Sequence, residues 1–129
     1  MIAIDKNVLA RLLLRDNALQ TDMADTLLAT ETLFVADGVF MEAEWVLRSA
    51  GWDRGQIAEA FAAISAHRNI VVEDTRLTCW ALARHADGAD MADMLHLVAG
   101  SRATEFVTFD QKLRRHAGID PPISIRTLG

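Results

Sequence analysis

Short apolar runs alternate with stretches of helical periodicity along the whole sequence, and this alternation restricts the chain to an α/β arrangement. Residues 1–4 form the first run, which stops at Asp5; Val8, Leu9, Leu12 and Leu13 then recur at helical spacing. Asn7 is placed to cap that helix, and Asp16-Asn17 separates it from a second helix over about 18–31. The order strand, acid, helix repeats at 33–36, where Asp37-Gly38 leads into a helix through Arg48 with Val39, Phe40, Val46 and Leu47 on its apolar side. Asp53 is placed to cap a helix reaching about His67, and residues 70–72 read as a buried strand. Helices from about Asp74 to Ala86 and from about Asp90 follow, the latter carrying Met91, Met94, Leu95 and Val98. Residues 105–108 form a strand ending at Phe109-Asp110, a short basic helix runs to His116, and 123–125 make a last edge strand. Five strands interleaved with helices predict a three-layer α/β/α fold with a central parallel sheet of about five strands.

With 129 residues, 51% of them hydrophobic, the chain is expected to form one domain over 1–129 with a core that needs no covalent staples. The single cysteine, Cys79, excludes an intrachain disulfide; a cytoplasmic setting and a buried, inert thiol are expected. No basic-apolar leader and no apolar run of about 20 residues occurs, so a soluble, non-exported protein is expected. The net charge of −5 argues against a general nucleic-acid coat protein, although it leaves room for a nuclease, which concentrates carboxylates to hold divalent metal. Lys112, Arg114 and Arg115 form a late basic cluster, either a contact for RNA phosphates or a solvated helix end. The glycines form no nucleotide-binding loop and the histidines have no metal-ligand spacing, with His96 read as a packing or hydrogen-bonding residue. Trp45, Trp52 and Trp80 are read as core or interface anchors rather than base-stacking platforms.

In a parallel sheet ligands gather at the carboxyl ends of the strands. Asp5 and Asp110 follow the first and fourth strands, while Glu42 and Asp93 lie one or two turns into helices that start from the same edge. Four carboxylates converging there would repel one another unless hard divalent cations compensate them. Each also has a plain structural reading. Asp90 and Asp93 stand as N-cap and N3 of one helix, Asp110 and Asp37 are placed to cap helices, and only one of Glu42 and Glu44 can face a cleft. A charge directly after an apolar N-terminal strand makes Asp5 the hardest to explain structurally.

The segment Asp5-Lys-Asn-Val-Leu9 resembles the Asp-Thr-Asn-Val-Leu opening of PIN-domain ribonuclease toxins of the VapC type. Met41-Glu-Ala-Glu-Trp-Val-Leu47 is similar to that family's segment with a glutamate two residues before Trp-Val-Leu, which selects Glu42 over Glu44. Gly88-Ala-Asp-Met-Ala-Asp-Met-Leu-His96 and Val107-Thr-Phe-Asp110 resemble its Ala-Asp-Phe-Ala-Asp-Ala-Leu-His and Leu-Thr-Phe-Asp stretches. The resemblance covers nearly the whole chain in order. It implies a PIN-like fold and Mg²⁺- or Mn²⁺-dependent cleavage of RNA by an acidic quartet of Asp5, Glu42, Asp93 and Asp110, with Asp5 and Asp93 the principal ligands. Thr108 would orient a water or Asp110, and Asn7 would brace the first loop. A homodimer and a cognate antitoxin that places a basic side chain against the acids are implied as partners.

One departure is plain: the family usually has Thr or Ser where this chain has Lys6. An ammonium there either competes with metal for the acids or points to solvent, and solvent is the preferred reading. The competing function is a PIN domain without catalytic activity that binds RNA or a protein. A signalling receiver domain and an Asp-x-Asp phosphatase fit less well, because one acid follows the first strand, Asn7 stands two residues after Asp5, and no lysine follows Ile123.

Overall fold

A short apolar start, Ile2–Ala3, pairs as strand β1 with Leu33–Val35 (β2), which in turn pairs with Ile70–Val72 (β3), all parallel, in the computed structural model, which describes residues 1–129. Phe106–Thr108 (β4) pairs in parallel with Ile125–Thr127 (β5). The five parallel strands are thus hydrogen-bonded in two groups, β1-β2-β3 and β4-β5, flanked by helices as the alternation predicts. Parallel neighbours need crossovers. Helices α1 (Lys6–Leu14) and α2 (Ala18–Thr30) return the chain from β1 to β2, and α3 (Asp37–Ser49) and α4 (Arg54–Ala66) from β2 to β3. Helices α5 (Thr75–Ala86), α6 (Met91–Ala99) and α7 (Leu113–Ala117) complete the order. The last strand lies two residues later than the sequence pattern indicates, because its ladder opens at Ile125 opposite Phe106 while Ile123 is spent as a buried anchor.

Twenty-six buried apolar residues form one core. Phe40 of α3 and Phe61 of α4 meet edge to face at its centre, their ring centroids 5.1 Å apart. No helix is long and apolar enough to cross a membrane. On α5 the buried stripe is Thr78, Ala81, Leu82 and His85, which leaves Cys79 one position off it; the thiol is exposed, contrary to the buried one expected.

The turn from α5 to α6 decides where the first turn of α6 points, and it is held from three sides. Gly88 takes a φ of +114°, a conformation that favours glycine. Arg54 Nη1 donates to the carbonyls of His85 and Ala89 at 2.6 and 2.8 Å. Arg84 ties the same turn to α7, donating from Nε to the His116 carbonyl at 2.9 Å and from Nη1 to Asp87 at 2.9 Å.

Candidate active site

Because β1 to β3 run parallel, Asp5, Asp37 and Glu73 emerge after their carboxyl ends at one edge. Asp5, rather than Asn7, caps α1: its Oδ1 accepts the amides of Asn7 and Val8 at 2.9 and 3.0 Å. The chain leaves β1 only two residues before Asp5, so the helix starts earlier than Asn7 allows. Asp37 does not cap its helix either. It is the first residue of α3, its amide is accepted by Glu73 Oε1 at 3.0 Å, and its carboxylate takes the Thr78 hydroxyl at 2.7 Å. Burial, with Glu73 and Asp74 adding like charge, raises the Asp37 pKa against that hydrogen bond.

Asp90 caps α6 through the Asp93 amide at 2.9 Å, so the structural reading of Asp90 holds, and no hydrogen bond engages the Asp93 carboxylate. Burial first, then the charges of Asp90 and Asp110, raise its pKa; His96 and His116 oppose this. Asp93 therefore lies within the field of Asp110 although seventeen residues separate them in the chain. The Asp110 carboxylate accepts the Lys112 amide at 2.8 Å, and its own amide donates to Thr108 Oγ1 at 3.0 Å. Asp110 precedes α7 without being its N-cap, since Lys112 holds that position.

Glu42 is exposed and receives the Lys6 ammonium at 3.2 Å. The solvent reading of Lys6 is overturned: a four-carbon stem on the first turn of α1 reaches α3, against which α1 packs. Glu44 is buried and paired with Arg48 at 2.7 Å, so Glu42 alone of the two is open to the cleft. Arg114 donates to the Ile125 carbonyl at 2.6 Å, which braces β5, while Lys112 at the cap and Arg115 within the same short helix are exposed.

The charge of Asp110 acts on Asp93, and Lys6 of α1 pairs with Glu42 of α3, while α3 packs against both α1 and α6. No group of three or more His, Cys, Asp or Glu side chains is arranged to hold a metal ion. The donor chemistry still fits a hard divalent cation, since all four groups offer carboxylate oxygens and Asp93 sits in an excess of negative charge. The ligand shell is not closed.

The pattern of alternating elements, the edge acids and the electrostatically linked pair Asp93 and Asp110 narrow the fold families that fit. A family model described as PIN domain matches residues 2–119. The chain belongs to the PIN domain family. No curated protein and no solved structure gives a significant match.

Within this PIN domain, sequence reasoning missed the histidines. His96 is exposed three residues after Asp93, on the side of α6 opposite Met94, Leu95, Leu97 and Val98; of the packing or hydrogen-bonding role expected for it, the structure excludes packing in the core. Its helical spacing from Asp93 was a usable signal. For His116, on a different helix, the sequence held none. Trp52 and Trp80 pack against the core as expected, whereas Trp45 is 61% exposed.

Proposed function

We propose that this PIN domain is a metal-dependent endoribonuclease and the toxin of a type II toxin–antitoxin pair, working as a homodimer and restrained by an antitoxin that presents a basic side chain to the acids. The observation that carries the reading is Asp93: a carboxylate without a hydrogen-bond partner, its pKa raised by burial and by acids from its own cap and from the end of β4. Uncompensated like charge is costly in a structure that needs only stability, and it is useful where a cation is to be held.

Asp93 and Asp110, joined by the free oxygens of Asp5 and Glu42, would hold Mg²⁺ or Mn²⁺. When bound, such an ion supplies an acidified water and charge stabilisation for phosphodiester hydrolysis. The chain's own residues orient the acids. Thr108 fixes the backbone entering Asp110, Asp90 fixes that of Asp93, and Asp5 is held by two amides of α1. Asn7 contributes one of those amides through its backbone. Lys112 and Arg115 offer cations to substrate phosphates beside Asp110. The test is incubation of the purified chain with single-stranded RNA and Mg²⁺ or Mn²⁺: cleavage that stops with EDTA supports the proposal, and EDTA-resistant cleavage or none counts against it.

A second reading, a binding module without catalysis, is favoured by one observation, the Lys6–Glu42 ion pair that already supplies a cation to the site. Calorimetric titration separates the two. Mn²⁺ uptake abolished by Asp93→Asn supports the nuclease, and no uptake supports the binding module.

A further inference from the structure

Phe40 and Phe61 are fully buried, Phe106 is half-buried against the core, and Phe34 is half-buried on β2. Phe109 is 77% exposed. A lone exposed apolar side chain is ordinary on a protein surface and would by itself carry nothing. Three features set this one apart. It immediately precedes Asp110, so its Cα lies about 3.8 Å from that of a site acid. Its backbone is pinned on both sides: Thr108 Oγ1 accepts the Asp110 amide at 3.0 Å across it, the Thr108 carbonyl accepts the Leu128 amide at 2.8 Å, and Asp110 Oδ1 accepts the Lys112 amide at 2.8 Å. Exposed cations, Lys112 and Arg115, follow within two turns.

A rigid turn that shows an aromatic face to solvent, with an acid on one side and cations beyond it, combines the elements needed to hold an unpaired base next to its phosphate. Every base has a π-face, so stacking on a ring tolerates sequence, and the cations match the backbone's charge. A ring whose backbone is already fixed loses little freedom on binding. We propose that Phe109 is the stacking platform for an unpaired base of single-stranded RNA flanking the phosphate that is cut. The inference rests on the ribonuclease reading and adds to it the residue that holds a base; a duplex keeps its bases stacked on one another and has no face to offer the ring.

The experiment reads binding without cleavage, in the Asp93→Asn background, with a single-stranded RNA heptamer carrying one 2-aminopurine and with its duplex as control. With Phe109 in place, the single strand binds and the 2-aminopurine emission is quenched. Phe109→Ala is expected to weaken that binding roughly 5- to 100-fold and remove the quenching. Phe109→Trp restores both, Phe109→Leu does not, and duplex binding is the same for all. Equal affinity for Phe109 and Phe109→Ala, or full rescue by Leu, overturns the platform while leaving the nuclease reading standing. A change in oligomeric state on Phe109→Ala, read by light scattering, also overturns it, since the ring then belongs to a contact between copies. Failure of the Asp93→Asn parent to bind either RNA overturns both.

Discussion

Asp93 stands in a field that opposes its own ionisation, and that has a consequence for stability separate from catalysis. Burial and the neighbouring charges of Asp90 and Asp110 raise its pKa in the folded chain, so the folded state holds the proton more tightly than the unfolded one. Stability from this group is therefore present below the ordinary aspartate range and is lost as pH rises through the raised value. Asp93→Asn should abolish cleavage and yet raise the Tm of the metal-free protein at pH 7 by about 1–2 °C, with no gain near pH 3, where wild type is protonated as well. A Tm lowered at pH 7 would contradict the repulsion argued here. Lys6 works in the other direction. Its ion pair with Glu42 is exposed, 38% and 56% for the two side chains, so its worth is that of a surface pair, about 0.2–1 kcal/mol. Lys6→Thr should tighten Mn²⁺ binding roughly 1.5- to 5-fold at low salt, an effect that fades as salt is added. Unchanged calorimetric affinity would mean that the departure from the family pattern is chemically silent.

Helices α3 and α5 meet at a buried polar contact. His85 of α5 is 2% exposed, and its Nε2 lies 3.8 Å from Glu44 of α3. Burial first, then Arg54, with a smaller push from Arg48, lowers its pKa; Glu44 and Asp90 oppose them. A histidine depressed in the folded state is protonated more readily when unfolded, so stability falls as pH drops below its ordinary value near 6.5. Thermal melts should show wild type losing more Tm between pH 7 and 5.5 than His85→Gln does, and equal losses would place the acid sensitivity elsewhere. The elements themselves were legible in the sequence, because apolar period and capping residues mark them locally: Asp53, Asp74 and Asp90 cap the helices they precede. What local patterns could not reach was which cap a neighbouring strand supplies. Glu73 takes the Asp37 amide from thirty-six residues away, and Lys6 finds Glu42 across the same separation.

Across the whole molecule, the parallel order of β1 to β3 places Asp5, Asp37 and Glu73 at one edge, and the quartet named from four short motifs is spread over α3, α6, the N-cap of α1 and the end of β4. The sequence motifs name those four residues; the structure links Asp110 to Asp93 through charge and Glu42 to Lys6 through an ion pair. What no spacing encodes is the packing of α1 on α3 and of α3 on α6, which sets how the elements that carry Asp5, Glu42 and Asp93 approach. The proposed assembly has its own test. Light scattering should return twice the 14.2 kDa of one chain, and Trp45, 61% exposed on α3, is a ready contact for a second copy or an antitoxin. An antitoxin peptide should inhibit, and its Arg→Ala version should inhibit less; equal inhibition would reject electrostatic plugging of the acids. The central claim is that acids from separate elements act as one metal-dependent site for cutting RNA. Its most direct measurement is the cleavage rate of single-stranded RNA in Mn²⁺ by wild type, Asp5→Asn and Asp93→Asn, each confirmed folded by circular dichroism. The account predicts EDTA-sensitive cleavage by wild type and a loss of at least about 100-fold in each variant; wild-type rates in both folded variants would contradict it.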